Sequence, residues 1–347
     1  MSKPTTWRIS GDIGDAVFGL ALLHALGGKH IIRCVDRPGI TAPWTPRVPL
    51  IKDLFEAQPY VEAVEISEES VDVDLVPFRR WHSAVTTLVA AQSLEYGMQK
   101  EELLRVDGSI PWLTVEPDTS FREKIVIARS PRYNNFRFPW KKIVDHYGPR
   151  LVFVGLVEEY ASFISNFGHV AYLQTRNLME VAKAISGSAM FIGNQSSPHA
   201  ISLGLGHRMI SEVDAGQPDC IYARGNVQYV CDGAVELPDI AGSGTLSVSK
   251  YVEFPEFYNT SMVPPGMWQY PGLPASSHFD LQRVLVEKKE GCPAKEAEVL
   301  LFRHNALREP RFFNASTNDP MMMYELAMKN AFPDAAKQTC VAPSNGL

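Results

Sequence analysis

Two short stretches gather residues that could do chemistry, each at the start of a helix. The first is residues 189–206, AMFIGNQSSPHAISLGLG. A β-type run, Ala189-Met190-Phe191-Ile192, is expected to break at Gly193. The polar cluster Asn194-Gln195-Ser196-Ser197 then leads to Pro198 at a first helical position and to an apolar helix that stops at Gly204 to Gly206. The first-turn N–H groups of a helix lack intrahelical partners and the dipole is positive there, so this is a site for an anion such as a diphosphate. A plain N-cap by Ser196 or Ser197 accounts for the same residues. The second stretch, Gly11-Asp12-Ile13-Gly14-Asp15, follows a strand over 7–10 and precedes a helix over 16–26 that is apolar nearly all round. It has two glycines only and is not a GxGxxG fingerprint. Asp12 and Asp15 would repel a pyrophosphate, so the loop suits a hydroxyl or a cationic group. The helix dipole favours an ionised Asp15, and a carboxylate at the carboxyl end of a strand can act as general base. An N-cap is the competing role for Asp15, and Asp12 reads as structural.

Basic residues stand close to both stretches in the expected fold. Arg129-Ser130-Pro131-Arg132 follows a strand over 124–128. In a parallel sheet, ligands bind at the carboxyl ends of the strands, which puts Arg129, Arg132 and Asn194 to Ser197 on one rim. A guanidinium and a helix N-terminus there could close on the same phosphates. Arg79, Arg80 and His82 follow another strand; they could hold acceptor or phosphate, or form a solvated surface cluster. His199 could contact phosphate or pack the helix. Tyr251, Phe254, Phe257, Tyr258, Trp268 and Tyr270 could stack on a base or sugar, or plug a domain surface.

The elements that must position these residues read as two α/β halves. In the first, strands are expected over 7–10, 31–36, 61–66 and 71–76, with helices over 16–26, 49–57, 83–92 and near 98–104. The second restarts after Pro117 with strands over 124–128, 151–155, 170–173, 189–192 and 207–212 and helices over 141–147, up to 166, and over 177–186. Strands alternating with helices at this spacing imply parallel, doubly wound sheets. Beyond residue 214 the pattern weakens: 221–222 could be a strand, 225–274 is rich in glycine, proline and aromatics, and late helices are expected over 279–286, 293–303 and 321–331, with Met321 to Met323 as helix core and a mobile tail. The expected domains are 1–118, an acceptor-side Rossmann-like unit; 119–275, a nucleotide-sugar-binding unit; and 276–347, helices and tail.

The 347 residues suit two ordinary domains, and 45% hydrophobic content can fill both cores. A net charge of −6 and a pI near 5.9 disfavour coating nucleic acid, while a local basic groove stays open. Five scattered cysteines, Cys34, Cys220, Cys231, Cys292 and Cys340, read as free thiols in a reducing cytoplasm and not as a zinc site. No apolar run is long enough for a membrane span, and residues 1–6 are polar, so a cytoplasmic location is expected.

Asp12-Ile13-Gly14-Asp15 before one apolar helix, together with Phe191-Ile192-Gly193-Asn194-Gln195-Ser196-Ser197-Pro198-His199 before another, resembles the bacterial heptosyltransferase family of glycosyltransferases over residues 7–214. That family typically has an SLGD-like turn early and a GxDSGPMH-like turn late. The resemblance implies a GT-B architecture, two Rossmann-like domains facing a central cleft, followed here by an irregular and helical C-terminal region. It implies inverting transfer of a sugar from a nucleotide-diphosphate donor, with no metal and no cofactor beyond the nucleotide sugar as co-substrate. Asp15 matches the family's proposed base and Ser196 and Ser197 its diphosphate-holding pair, while Arg129 falls near its basic residue and Glu158 or Glu159 near an acidic position that can grip the donor ribose. Gln195 replaces the usual aspartate and Ser197 the usual glycine, while His199 falls one place early with Ala200 at the histidine position. These departures fall where donor and sugar would be read.

The expected site is therefore Asp15 as catalytic base, Arg129, Ser130, Arg132, Glu158, Asn194, Gln195, Ser196, Ser197 and His199 on the donor side, and Asp12, Gly14, Arg79 and Arg80 on the acceptor side. With no DxD-type metal motif read at a strand end, arginines are expected to supply the cation. The acceptor would be a glycan, lipid-linked or nucleobase hydroxyl; DNA is disfavoured by the acidic pI. Rival expectations are a transferase acting on a hydroxylated DNA base, a non-catalytic nucleotide-sugar-binding protein and a sugar-nucleotide epimerase of the same fold.

Overall fold

Among the residues described by the computed structural model, ten short strands form two parallel sheets, and seven α-helices pack with them. The structure describes residues 3–240 except 10, 37–42, 82–86, 99–105, 107–109, 215–219, 221, 223–225, 231–234 and 236, and except the side chains of Arg80 and Trp81. The expected helices near 98–104 and after 278, the 251–270 aromatics, and the 276–347 unit lie outside the described residues, wholly or nearly so.

The first sheet contains β1 (Thr5–Arg8), β2 (His30–Cys34), β3 (Val61–Ile66) and β4 (Val73–Asp74) in the order β3-β2-β1-β4. Helix α1 (Ile13–Leu26) connects β1 to β2, α2 (Val48–Glu56) lies before β3, and α3 (Leu88–Tyr96) follows the short 3-10 segment Val76–Trp81. The second sheet contains β5 (Ile125–Ala128), β6 (Leu151–Val154), β7 (Ala171–Leu173), β8 (Met190–Asn194), β9 (Met209–Glu212) and β10 (Val227–Val230) in the order β10-β9-β8-β5-β6-β7. Read from β5, this is the 3-2-1-4-5-6 order of the doubly wound nucleotide-binding sheet. Its helices are α4 (Trp140–Tyr147), α5 (Val157–Phe167), α6 (Leu178–Gly187) and α7 (Ser197–Gly204).

Strand periodicity sorts the core. Val126 and Phe191 face one apolar cluster, whereas their neighbours Ile125, Ile127, Met190 and Ile192 face another with Trp140, Phe153 and Phe163. The first cluster is continuous from Trp7, Val17 and Leu20 of the first half to Ala200, Ile201 and Met209 of the second. Helix α1 makes this possible because it is apolar on all sides: it packs on α3 of its own half and on α7 of the other, while α2 packs on α6. Gly204, the last residue of α7, brings the seam close. A Cβ there would lie 2.6 Å from Leu113 Cδ1, and the Gly204 carbonyl accepts from the Trp112 and Leu113 amides, both at 2.8 Å.

Several boundaries differ from the sequence expectations. Strand β8 does not break at Gly193; it runs to Asn194, with Gly193 paired to Ala128 and Ser211. The glycine is there for close packing, since a Cβ would lie 2.6 Å from the Phe191 ring and 2.8 Å from the Ala128 carbonyl oxygen. Helix α1 begins at Ile13, so Gly14 and Asp15 belong to its first turn. Pro198 is the second residue of α7, not the first. The strand at 71–76 shortens to two residues, and β10 lies in a region expected to be irregular.

Candidate functional site

Each sheet has a crevice where its strand order reverses, and ligands of doubly wound proteins bind at the carboxyl ends of the strands there. In the first sheet the reversal lies between β1 and β4 and is bordered by the loop at Gly11 and Asp12 and the segment holding Arg79. In the second it lies between β5 and β8, bordered by Arg129 to Tyr133 and Gln195 to Ser197. All these residues but Gly11 line one cavity of about 540 Å³, which spans both halves.

On the first half's wall, Asp15 is buried at the third position of α1 and its Oδ2 accepts from the Asp12 amide at 2.7 Å. Arg79 Nη2 donates to the same oxygen at 2.5 Å. Burial pushes the Asp15 carboxyl above its ordinary value, with the Arg79 guanidinium pulling the other way. Gly11, with φ +87°, lets the loop pass over this carboxylate: a Cβ would sit 2.0 Å from Asp15 Oδ2. Asp12 caps α1 and accepts from two arginines, Arg47 Nη2 at 3.1 Å and Arg132 Nη1 at 2.6 Å. Partial burial raises its pKa, but the two guanidinium groups outweigh that and hold it below the usual carboxylate range. The cationic partner expected for the acidic loop is thus supplied by the protein itself.

On the second half's wall, Ser196 is the N-cap residue of α7 and Ser197 its first residue, so the helix start faces the cavity. The Ser196 hydroxyl donates to the Asn194 carbonyl at 3.1 Å. Gln195 also lines the cavity while its Oε1 accepts from the Asp214 amide at 2.9 Å. Arg129 is present but committed. Its Nε and Nη2 donate to Glu212 Oε2 and Oε1 at 3.0 and 3.1 Å, and its guanidinium lies over the Phe167 ring. Glu212 is fully buried and accepts from Trp140 Nε1 at 2.7 Å and the Asn135 amide at 2.8 Å. Burial still raises the Glu212 pKa against the pull of Arg129 and these donors. Arg132 is the more exposed of these two arginines, with 58% of its side chain accessible against 18% for Arg129.

Of the residues singled out from sequence, Asp12, Gly14, Asp15, Arg79, Arg129, Ser130, Arg132, Gln195, Ser196 and Ser197 come together around the cavity. Three of the donor-side residues stand elsewhere. Asn194 is fully buried with its carboxamide bonded to the 130–134 loop, and His199 is fully buried with Nε2 2.9 Å from Ser211 Oγ. Strand and helix geometry turn both inward although they flank cavity residues in sequence. Glu158 is exposed and outside the lining; Glu159, one position later, faces the cavity and accepts from the Leu156 amide at 2.9 Å. Arg79 is not part of a purely solvated cluster, since it is bonded to Asp15. The side chain of Arg80 and all of His82 lie outside the described residues.

Sequence reasoning missed Arg47 and Glu212. Arg47 sits in a proline-rich segment with no periodic signal. Glu212 left a usable one, as a carboxylate at the carboxyl end of a fully buried strand, on the same rim as Asn194.

No protein-family model matches the chain, and no curated protein matches it. Among solved structures, E. coli heptosyltransferase WaaC with ADP-2-deoxy-2-fluoro heptose is similar at 13% identity and a TM-score of 0.41, over 66% of this chain and 93% of that one. E. coli ADP-heptose lps heptosyltransferase II is similar at 12% identity and a TM-score of 0.42, over 65% and 90% of the two chains. A glycosyl transferase of family 9 from Veillonella parvula follows at 13% identity and a TM-score of 0.38, over 60% and 80%.

Proposed function

We propose that this protein is a metal-independent, inverting glycosyltransferase that moves a sugar from a nucleotide-diphosphate donor to an acceptor hydroxyl. The observation that carries the reading is one cavity joining two switch-point crevices, with a buried carboxylate on one wall and a helix start with a cation on the other. The resemblance of the two motifs to the heptosyltransferase family supports the same reaction class. Domain limits at residues 118 and 275 and a cytoplasmic location belong to this reading.

In this reaction the acceptor oxygen attacks the anomeric carbon as Asp15 Oδ takes the hydroxyl proton. The C–O bond to the diphosphate breaks with its electron pair staying on the departing oxygen. A base works best with a pKa near the working pH, and burial moves Asp15 in that direction. The leaving diphosphate gains charge, which Arg132 and the first-turn amides of α7 meet without reorganising solvent. Arg129, already neutralised by Glu212, shapes the wall and contributes less charge than its type suggests.

The test is Asp15→Asn, with sugar transfer and binding of ADP, GDP and UDP measured separately. Transfer is expected to fall steeply while the binding of whichever diphosphate the wild type takes is kept. Unchanged transfer removes Asp15 as the base. Failure of the wild-type protein to bind any of the three overturns the donor site.

A further inference from the structure

Asn194 is a fully buried polar residue at the end of β8 whose carboxamide serves neither the cavity lining nor the strand ladder. It serves the loop after β5. Its Oδ1 accepts from the Ser130 amide at 3.0 Å, and the two hydrogens of its Nδ2 are shared among the Arg132 carbonyl at 2.6 Å, the Ser130 carbonyl at 3.0 Å, Asn134 Oδ1 at 3.1 Å and Ser130 Oγ at 3.3 Å. One side chain thus grips the loop on both sides of Tyr133. Tyr133 is the one non-glycine residue with positive φ among the described residues, at +56°. Such a conformation persists for a bulky side chain only where its surroundings over-determine it. The turn places the Arg132 guanidinium over the Tyr133 ring and its Nη1 on Asp12 across the cavity.

The partner across the ladder sharpens the point. Asn194 is in register with Glu212, which engages the fork of Arg129. Adjacent strand ends therefore treat the two arginines oppositely, one neutralised by a buried carboxylate and the other held out by a neutral amide. Aspartate at 194 would keep the volume and the bond from the Ser130 amide but lose every Nδ2 donation and set a charge against carbonyl oxygens.

We propose that Asn194 is a positioning residue whose carboxamide fixes the left-handed turn at Tyr133 and so aims Arg132 into the cavity at the donor diphosphate. The ligand in this statement rests on the function proposed above; the clamp itself does not. Two measurements on the full chain separate them. Hydrogen exchange over residues 129–135 is expected to rise in Asn194→Ala with the strands of the second sheet unchanged, and an unchanged loop overturns the clamp whatever the protein binds. Affinity for ADP, GDP and UDP is then measured in wild type, Asn194→Ala, Arg132→Ala and the double variant. Each single change is expected to weaken the diphosphate bound by wild type by about tenfold, the loss of one charge-assisted contact. The double variant is expected to stay within about twofold of the weaker single one, because both changes remove the same contact. Additive losses overturn positioning through Arg132, as does wild-type affinity in Asn194→Ala. Should Asn194→Ala not fold, Asn194→Asp is read in the same way. If wild type binds none of the three while loop exchange still rises, the diphosphate reading fails and the clamp stands.

Discussion

Arg132 of the second half reaches across the cavity to Asp12 of the first, with Nη1 2.6 Å from Oδ2. The carboxylate is the contact that a donor phosphate would have to replace, because Asp12 is the anion that this guanidinium engages directly. Asp12→Asn removes this competing anion while Arg47 stays nearby. Affinity for the nucleoside diphosphate is expected to rise by up to about fivefold, the range of a partly exposed ion pair. Titration of both proteins at two salt concentrations checks it. Weaker binding in Asp12→Asn would mean that the aspartate organises the arginines and does not compete for them.

Arg79 and Asp15 make the second cross-loop pair, and here the consequence is a pH profile. Burial raises the Asp15 pKa and Arg79 opposes it, so Arg79→Ala leaves burial less opposed and the carboxyl rises further. A general base must be ionised, so activity is lost as pH falls through that value. The acid limb of kcat/KM is expected to move to higher pH in Arg79→Ala, with most of the rate recovered on the alkaline side. A uniform loss at every pH would assign Arg79 to substrate binding instead.

Burial of Glu212 gives a stability prediction of known sign. Its native pKa is raised above the ordinary 4.5 even with Arg129 in place. In Arg129→Ala the buried carboxyl loses the guanidinium that partners it and rises further. Between 4.5 and the native value, the folded protein holds a proton that the unfolded chain has released, so stability is lost as pH rises through that window. The deficit of Arg129→Ala relative to wild type is expected to grow from acid to neutral pH, towards about 3–5 kcal/mol for a broken buried pair. Melting curves at several pH values check it; a gap independent of pH would show that Glu212 is held by Trp140 and Asn135 alone.

What the sequence made legible follows from how local each signal is. Strand β3 matches its expected span of 61–66 because valine, alanine and isoleucine are interspersed with two glutamates in a short run without a breaker. Gly193 misled because a glycine inside a short apolar run looks like a stop, whereas tertiary packing against Phe191 and Ala128 requires it within the strand. The site's halves were visible as two helix starts, but their pairings were not. Arg79 lies 64 residues from Asp15, and Arg132 lies 120 from Asp12, so only strand order brings them together. Asn194 and His199 adjoin Gln195 to Ser197 and so look like candidate ligand contacts, but sequence adjacency does not say which face a residue takes; of the two roles open to His199, the structure shows the packed one.

Gly11 and Gly97 allow the steric and conformational roles of a glycine beside the proposed base to be measured apart. Both have positive φ, +87° and +96°. Gly97 ends α3 in open space, with nothing within 4 Å of where a Cβ would stand, whereas at Gly11 a Cβ would lie 2.0 Å from Asp15 Oδ2 and 2.7 Å from Cγ. Alanine at either site carries the left-handed penalty of about 1–2 kcal/mol. Gly97→Ala is therefore expected to lower the melting temperature by a few degrees and leave transfer unchanged. Gly11→Ala must also push the Asp15 carboxylate away from Arg79 and the Asp12 amide, so it is expected to cost more stability and to lower kcat by about 100-fold, as a displaced catalytic group does. Measured side by side, equal transfer rates in the two variants would show that the position of the Asp15 carboxylate does not limit the reaction.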